Sequence, residues 1–192
     1  MSGDEEELIA TASQTVGPFF HSGIATDHAL GCVAEASAAG EHITLRFRIT
    51  DGDGAPVPDA LVEVWQVDSG GAAARKPPPG GRLAFSGFGR LPTGADGTCE
   101  FQTVRPGRTR TGEDRPQAPH INVCLFARGL LRHVHTRVYF EGDPALTGDP
   151  VMAMVPAERR RTLLARPDPS DEGRWLFDLR LQGDDETVFF DL

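Results

Sequence analysis

The segment HITLRFRIT, residues 42–50, alternates without a break: Ile43, Leu45, Phe47 and Ile49 fall on one side, His42, Thr44, Arg46, Arg48 and Thr50 on the other. Successive side chains of a strand point to opposite faces, so this run is a half-buried strand with one face on a core and one in water. The DGDGAPVPDA that follows carries Asp-Gly pairs and two prolines, which a strand cannot accommodate, and ALVEVWQV (60–67) then resumes as a β-branched run. The turn therefore joins two strands. Further along, TCEFQTV (98–104), HINVCLFA (120–127), HVHTRVYF (133–140) and RWLFDLRL (174–181) read as strands, and the terminal TVFFDL is a candidate for one more. Between the last two of these four, PAERRRTLLA (156–165) opens with a proline suited to a helical first turn and stops before Pro167, which predicts one short helix.

Several strands separated by turn signals, one short helix and no βαβ rhythm predict an all-β fold, an antiparallel β-sandwich with long loops. Ser69 to Gly97 reads as a long irregular connection, of the kind that usually carries function. Residues 1–27 lie outside the sheet pattern and are expected to form an N-terminal arm that faces a partner chain. The 192 residues form one domain, 1–192, long enough to bury a core without disulfides or a structural metal.

Composition narrows the function. With 39% hydrophobic residues and with 22 glycines and 15 prolines spread without a repeat, the chain is neither fibrous nor disordered. Its apolar stretches fall far short of the roughly 20 residues that cross a bilayer, and MSGDEEELIA is acidic where a secretory signal is basic, so no membrane association and a cytoplasmic location are expected. A net charge of −9 argues against nucleic acid as a partner; the basic stretch around Arg105, Arg108 and Arg110 reads as a solvated loop. Cys32, Cys99 and Cys124 are an odd set with no CxxC spacing, hence free thiols.

The histidines are the first place to seek chemistry. His120, His133 and His135 lie on two neighbouring predicted strands, and the two-residue period sets His133 and His135 on one face. A metal site is geometrically conceivable there, but no third and fourth ligand stands at telling spacing. A Ser/His/Asp triad has no support, since there is no GxSxG elbow. The sequence contains a single tyrosine, Tyr139, within HVHTRVYF.

The segments SQTVGPFFHSGI (13–24), ALVEVWQVDSGG (60–71), FSGFGR (85–90), TVRPG (103–107), APHINVCLFARGL (118–130), HTRVYFEGDP (135–144) and GDDETVFFDL (183–192) resemble the intradiol ring-cleaving dioxygenases. The likeness is to the α chain of those built from two homologous sandwiches, and it runs from about residue 9 to the C-terminus. It implies a large α/β hetero-oligomer in which a homologous β subunit holds a non-haem Fe(III) through two tyrosines and two histidines; Fe(III) is a hard cation that favours anionic oxygen donors such as phenolate, and Tyr139 alone cannot supply the two that this ligand set requires. Where the iron-binding chains read Pro-x-His-x-His, this sequence has Pro119-His120-Ile121-Asn122, so His120 and Asn122 occupy a vestigial ligand strand and no metal and no catalytic residue is expected here.

By the same resemblance, Thr15, Gly17 and Pro18 lie over the substrate at the partner's iron and Arg128 orients its carboxylate. The resemblance implies 3,4-dihydroxybenzoate and O2 as substrates and 3-carboxy-cis,cis-muconate as product. The absent side chain of Gly17 would let an aromatic ring approach the backbone, and Pro18 would fix the loop's direction. Another catechol, such as hydroxyquinol, or a non-catalytic scaffold are the rival readings.

Overall fold

The computed structural model describes residues 11–17, 20, 23–75, 83–111 and 115–191. Its strands are β1 (His42–Thr50), β2 (Leu61–Trp65), β3 (Phe88–Pro92), β4 (Thr98–Val104), β5 (Thr109–Thr111), β6 (Arg115–Gln117), β7 (His120–Phe126), β8 (Val134–Phe140), β9 (Leu164–Pro167) and β10 (Arg174–Arg180). β5 and β6 form a separate ribbon; the other eight are ordered β3-β2-β7-β8-β9-β10-β1-β4.

The eight strands make a sandwich because β9 belongs to both halves. It runs parallel to β8 through Tyr139–Leu164 and Phe140–Ala165, and antiparallel to β10 through Trp175–Pro167 and Leu176–Arg166. At β9 the sheet folds over, and its two inner faces close on each other. Ile43, Leu45, Phe47 and Ile49 of β1 point inward, as the alternation requires, against Val62 and Val64 of β2 and Ile121, Val123 and Leu125 of β7. Phe47 stands edge-on to Phe101 and Phe177, with centroids 5.7 and 5.6 Å away, and is wholly buried. Burying such a ring is worth about 1.5–3 kcal/mol.

The sandwich differs from the expectation in several respects. Pairing is mixed rather than wholly antiparallel, since β1–β10 and β8–β9 are parallel. The Asp51–Ala60 connection carries the chain from one half to the other, so β1 and β2 are not hydrogen-bonded to each other. The segment expected to be helical at 156–165 is a 3-10 helix over Ala157–Leu163 that gives way to β9, because Ala165 must close the core and its backbone must bridge two strands. An α-helix forms instead at α1 (Pro150–Met154), with Asp149 as N-cap; five residues are too few to show a helical period. The described residues 187–191 of the terminal TVFFDL form no strand; they lie beside β8 with one bridge, His135–Phe190.

Inside the connection expected to be irregular, the chain forms β3. Gly89 hides that strand from a propensity reading, yet a Cβ there would stand 2.7 Å from Val33 and 2.8 Å from Phe101, so only glycine lets β3 pack this closely. No helix among the described residues is long and apolar enough to cross a membrane. All three cysteines are free, Cys99 and Cys124 buried and Cys32 half-buried.

Candidate functional site

β7 separates two regions of interest, one at each of its ends. At its start, His120 and Asn122 line a cavity of about 610 Å3 together with Trp65, Gln66, Arg75 and Phe88. Asn122 faces Trp65 across the β2–β7 pair, and Trp65 faces Phe88, their rings 4.4 Å apart. His120 is buried and its Nδ1 lies 2.8 Å from the Ala118 carbonyl oxygen. Burial, only partly offset by that bond, holds its pKa below the ordinary 6.5, so the ring stays neutral.

Tyr139 is the register partner of His120, with its ring 5.7 Å away, a proximity that appears only once β7 and β8 are paired. Its hydroxyl donates to Asp149 Oδ1 at 3.2 Å, and burial pushes its pKa up to about 12. Asp149 also accepts from the backbone N–H groups of Ala118, Val151 and Met152, which fixes the carboxylate and with it the entry to β7. One neutral imidazole, one amide and one phenol kept protonated do not make a ferric site. A hard trivalent ion needs anionic oxygens aimed at it, and here the phenol is committed to Asp149. Among the described residues His120 and Asn122 therefore have no further donors to complete a ferric shell, and no step of chemistry is assigned to a metal in this chain.

At the other end of β7, about 20 Å away for six residues of strand, the chain turns into β8. Leu130 N–H donates to the Ala127 carbonyl, and Gly129 takes φ +92°, a left-handed conformation suited to glycine at the third position of such a turn. Arg128 sits at the second. Thr15 holds this turn from outside the sheet: its Oγ1 accepts from Gly129 N–H at 2.8 Å and lies 3.5 Å from the Ala127 carbonyl oxygen. Nearby, Phe20 stacks on Phe126 at 5.4 Å. The structure thus brings Thr15 to the backbone on both sides of Arg128, two residues that are far apart in sequence.

Gly17 follows two residues after Thr15; a Cβ there would meet nothing within 4 Å, and its φ is not in the left-handed region. Nothing among the described residues of this chain requires glycine at that position. Pro18, the fourth residue expected here, lies outside the described residues. Arg128 is well exposed and directs Nη2 to Asp59 Oδ2 at 3.1 Å. Asp59 has φ +59°, a conformation that aspartate tolerates better than most residues. Sequence reasoning missed this counter-ion, because 69 positions separate it from Arg128 and no pattern joins them.

A family model described as Dioxygenase matches residues 15–183. The chain belongs to this intradiol dioxygenase family. It is 43% identical to a protocatechuate 3,4-dioxygenase alpha chain from Burkholderia cepacia over 96% of this chain and 98% of that one. It is 33% identical to the corresponding beta chain from the same organism, over 91% of this chain and 77% of that one. Among solved structures, the dioxygenase domain of a carbohydrate-binding fusion protein from Streptomyces sp. SirexAA-E superposes with a TM-score of 0.62, at 26% identity, covering 82% of this chain and 88% of that one. The all-β sandwich expected from the alternation at 42–50 is therefore the family's fold, and the intradiol dioxygenase likeness drawn from the motifs holds over nearly the whole chain.

Proposed function

We propose that this chain is the α subunit of a cytoplasmic protocatechuate 3,4-dioxygenase, enclosing and orienting 3,4-dihydroxybenzoate at an iron held by a homologous β subunit. The observation that carries the reading is the donor set formed by His120 and Asn122 of β7 with Tyr139 of β8. A family whose chemistry depends on iron has here a member with a neutral His120 and an Asn122 on the ligand strand, and with Tyr139 beside them protonated and bonded to Asp149. Near-complete coverage of an alpha chain, beside weaker likeness to a beta chain, supports a hetero-oligomer. Three free cysteines accord with a reducing compartment.

The partner's ferric centre, when present, supplies the activation of the ring toward O2; this chain supplies position. Thr15 and Gly129 fix the turn that displays Arg128, so the guanidinium meets a substrate carboxylate with little ordering still to do. Gly17 leaves room where the aromatic ring approaches backbone, and the arm helps to exclude water. The test is co-expression with a homologous chain bearing the Tyr and His ligands. The two chains should co-purify, with iron, visible absorption and conversion of 3,4-dihydroxybenzoate to 3-carboxy-cis,cis-muconate confined to the complex. Stoichiometric iron, colour and ring cleavage in this chain alone would overturn the assignment.

A further inference from the structure

The outer face of the β7–β8 pair carries three soft or borderline donors that the function above does not use. Cys124 and His135 are direct register partners, and His133 lies two positions before His135 on the same face. Directly opposed Cβ atoms in an antiparallel pair stand about 4.5–5.5 Å apart and diagonal ones about 7–8 Å, so side chains from these three positions can converge on one point. They do: the Sγ of Cys124 and a ring nitrogen from each histidine all lie within 4.8 Å of one another. The two rings meet edge to face with centroids 4.8 Å apart.

We propose that Cys124, His133 and His135 form a binding site for a borderline-soft divalent cation of the zinc class, with three protein donors and a fourth position open to solvent. A tetrahedral zinc ion with bonds of about 2.0–2.3 Å sets its donors roughly 3.5 Å apart, so closing from the observed separations needs about 1 Å of movement. Side-chain rotation of the two histidines provides that, while six consecutive register pairs between β7 and β8 hold the backbones.

One thiolate and two imidazoles select Zn(II) or Co(II) over magnesium, calcium or a ferric ion, which prefer oxygen. Glu63, the register partner of Cys124 on its other flank, is spent on Arg90 at 2.6 Å, and His133 is exposed, so the fourth position falls to water. The site is distinct from the His120 and Asn122 positions although it shares their strand and face, since Cys124 lies two residues beyond Asn122 on β7. It borders the arm instead, because the His133 ring packs 5.1 Å from Phe126, on which Phe20 rests.

The experiment is titration of the metal-free full-length chain with Co(II). One equivalent should bind, giving a near-ultraviolet thiolate-to-cobalt band and the visible bands of four-coordinate cobalt, and Zn(II) should displace it. Cys124→Ala should abolish the near-ultraviolet band. His133→Ala and His135→Ala should each weaken binding by at least the roughly 10–100-fold that loss of an outer-shell partner costs elsewhere. Because His133 is exposed, His133→Ala tests the site even if Cys124→Ala fails to fold, and Cys32→Ala should change nothing. The proposal is overturned by the absence of saturable one-to-one binding, by a spectrum unaltered in His133→Ala, or by a thiolate band that survives in a folded Cys124→Ala chain.

Discussion

Truncation of Arg128 is the sharpest test of how this chain handles substrate. Its guanidinium is 60% exposed and paired at 3.1 Å with an Asp59 that is 52% exposed. An exposed pair of this kind contributes about 0.2–1 kcal/mol, so Arg128→Ala should change the stability of the chain by no more than about 1 kcal/mol. If the guanidinium turns to a substrate carboxylate, a charge-assisted hydrogen bond of about 1.5–3 kcal/mol is gained while the Asp59 pair is given up. The net loss on truncation is then about 0.5–2.8 kcal/mol, or roughly 2–100-fold in kcat/KM. The assay compares 3,4-dihydroxybenzoate with plain catechol in the assembled complex, at unchanged iron content. Catechol has no carboxylate and should lose little.

The competing anion supplies a second arm of opposite sign. Asp59→Asn retains a side chain that tolerates the left-handed backbone and removes the charge, so capture of 3,4-dihydroxybenzoate should improve by up to about fivefold. Equal losses on both substrates in Arg128→Ala, or no loss on either, would refute a carboxylate contact and leave Arg128 as a solvated turn residue.

Three further outcomes are expected. Gly17→Phe should leave folding and iron content of the complex unchanged, since its Cβ meets nothing within 4 Å in this chain, while turnover falls; wild-type kinetics would show that the arm does not face substrate. His120, whose pKa burial holds below 6.5, stays neutral in the fold while the unfolded chain takes up a proton near 6.5. The unfolded state therefore binds more protons as pH drops through that window and stability is lost; urea midpoints on either side of it should diverge less in His120→Gln. Asp149→Ala, which strips the partners from the buried N–H groups of Ala118 and Met152 and from the α1 cap, should cost about 3 kcal/mol or more, against about 1 kcal/mol for Tyr139→Phe, both read by chemical denaturation.

What the sequence determined alone were features encoded within a few residues. The alternation at 42–50 gave β1 and its buried face, and similar runs gave β2, β4, β7, β8 and β10. Each rests on local period or on composition, which survive whatever the rest of the chain does. Elements held by distant partners were not legible. β3 exists because Gly89 lets it press against Val33 and Phe101, β9 because two half-sheets need a shared strand, and α1 because Asp149 caps it. The sites follow the same rule. Thr15 and Arg128 could be named from motifs, but their meeting across 112–114 positions, the Asp59 counter-ion and the convergence of Cys124 on His133 and His135 depend on strand register and turn geometry. Register is decided by the closing of the core: a shift of one residue turns every side chain to the other face, and only the folded sandwich selects among the alternatives.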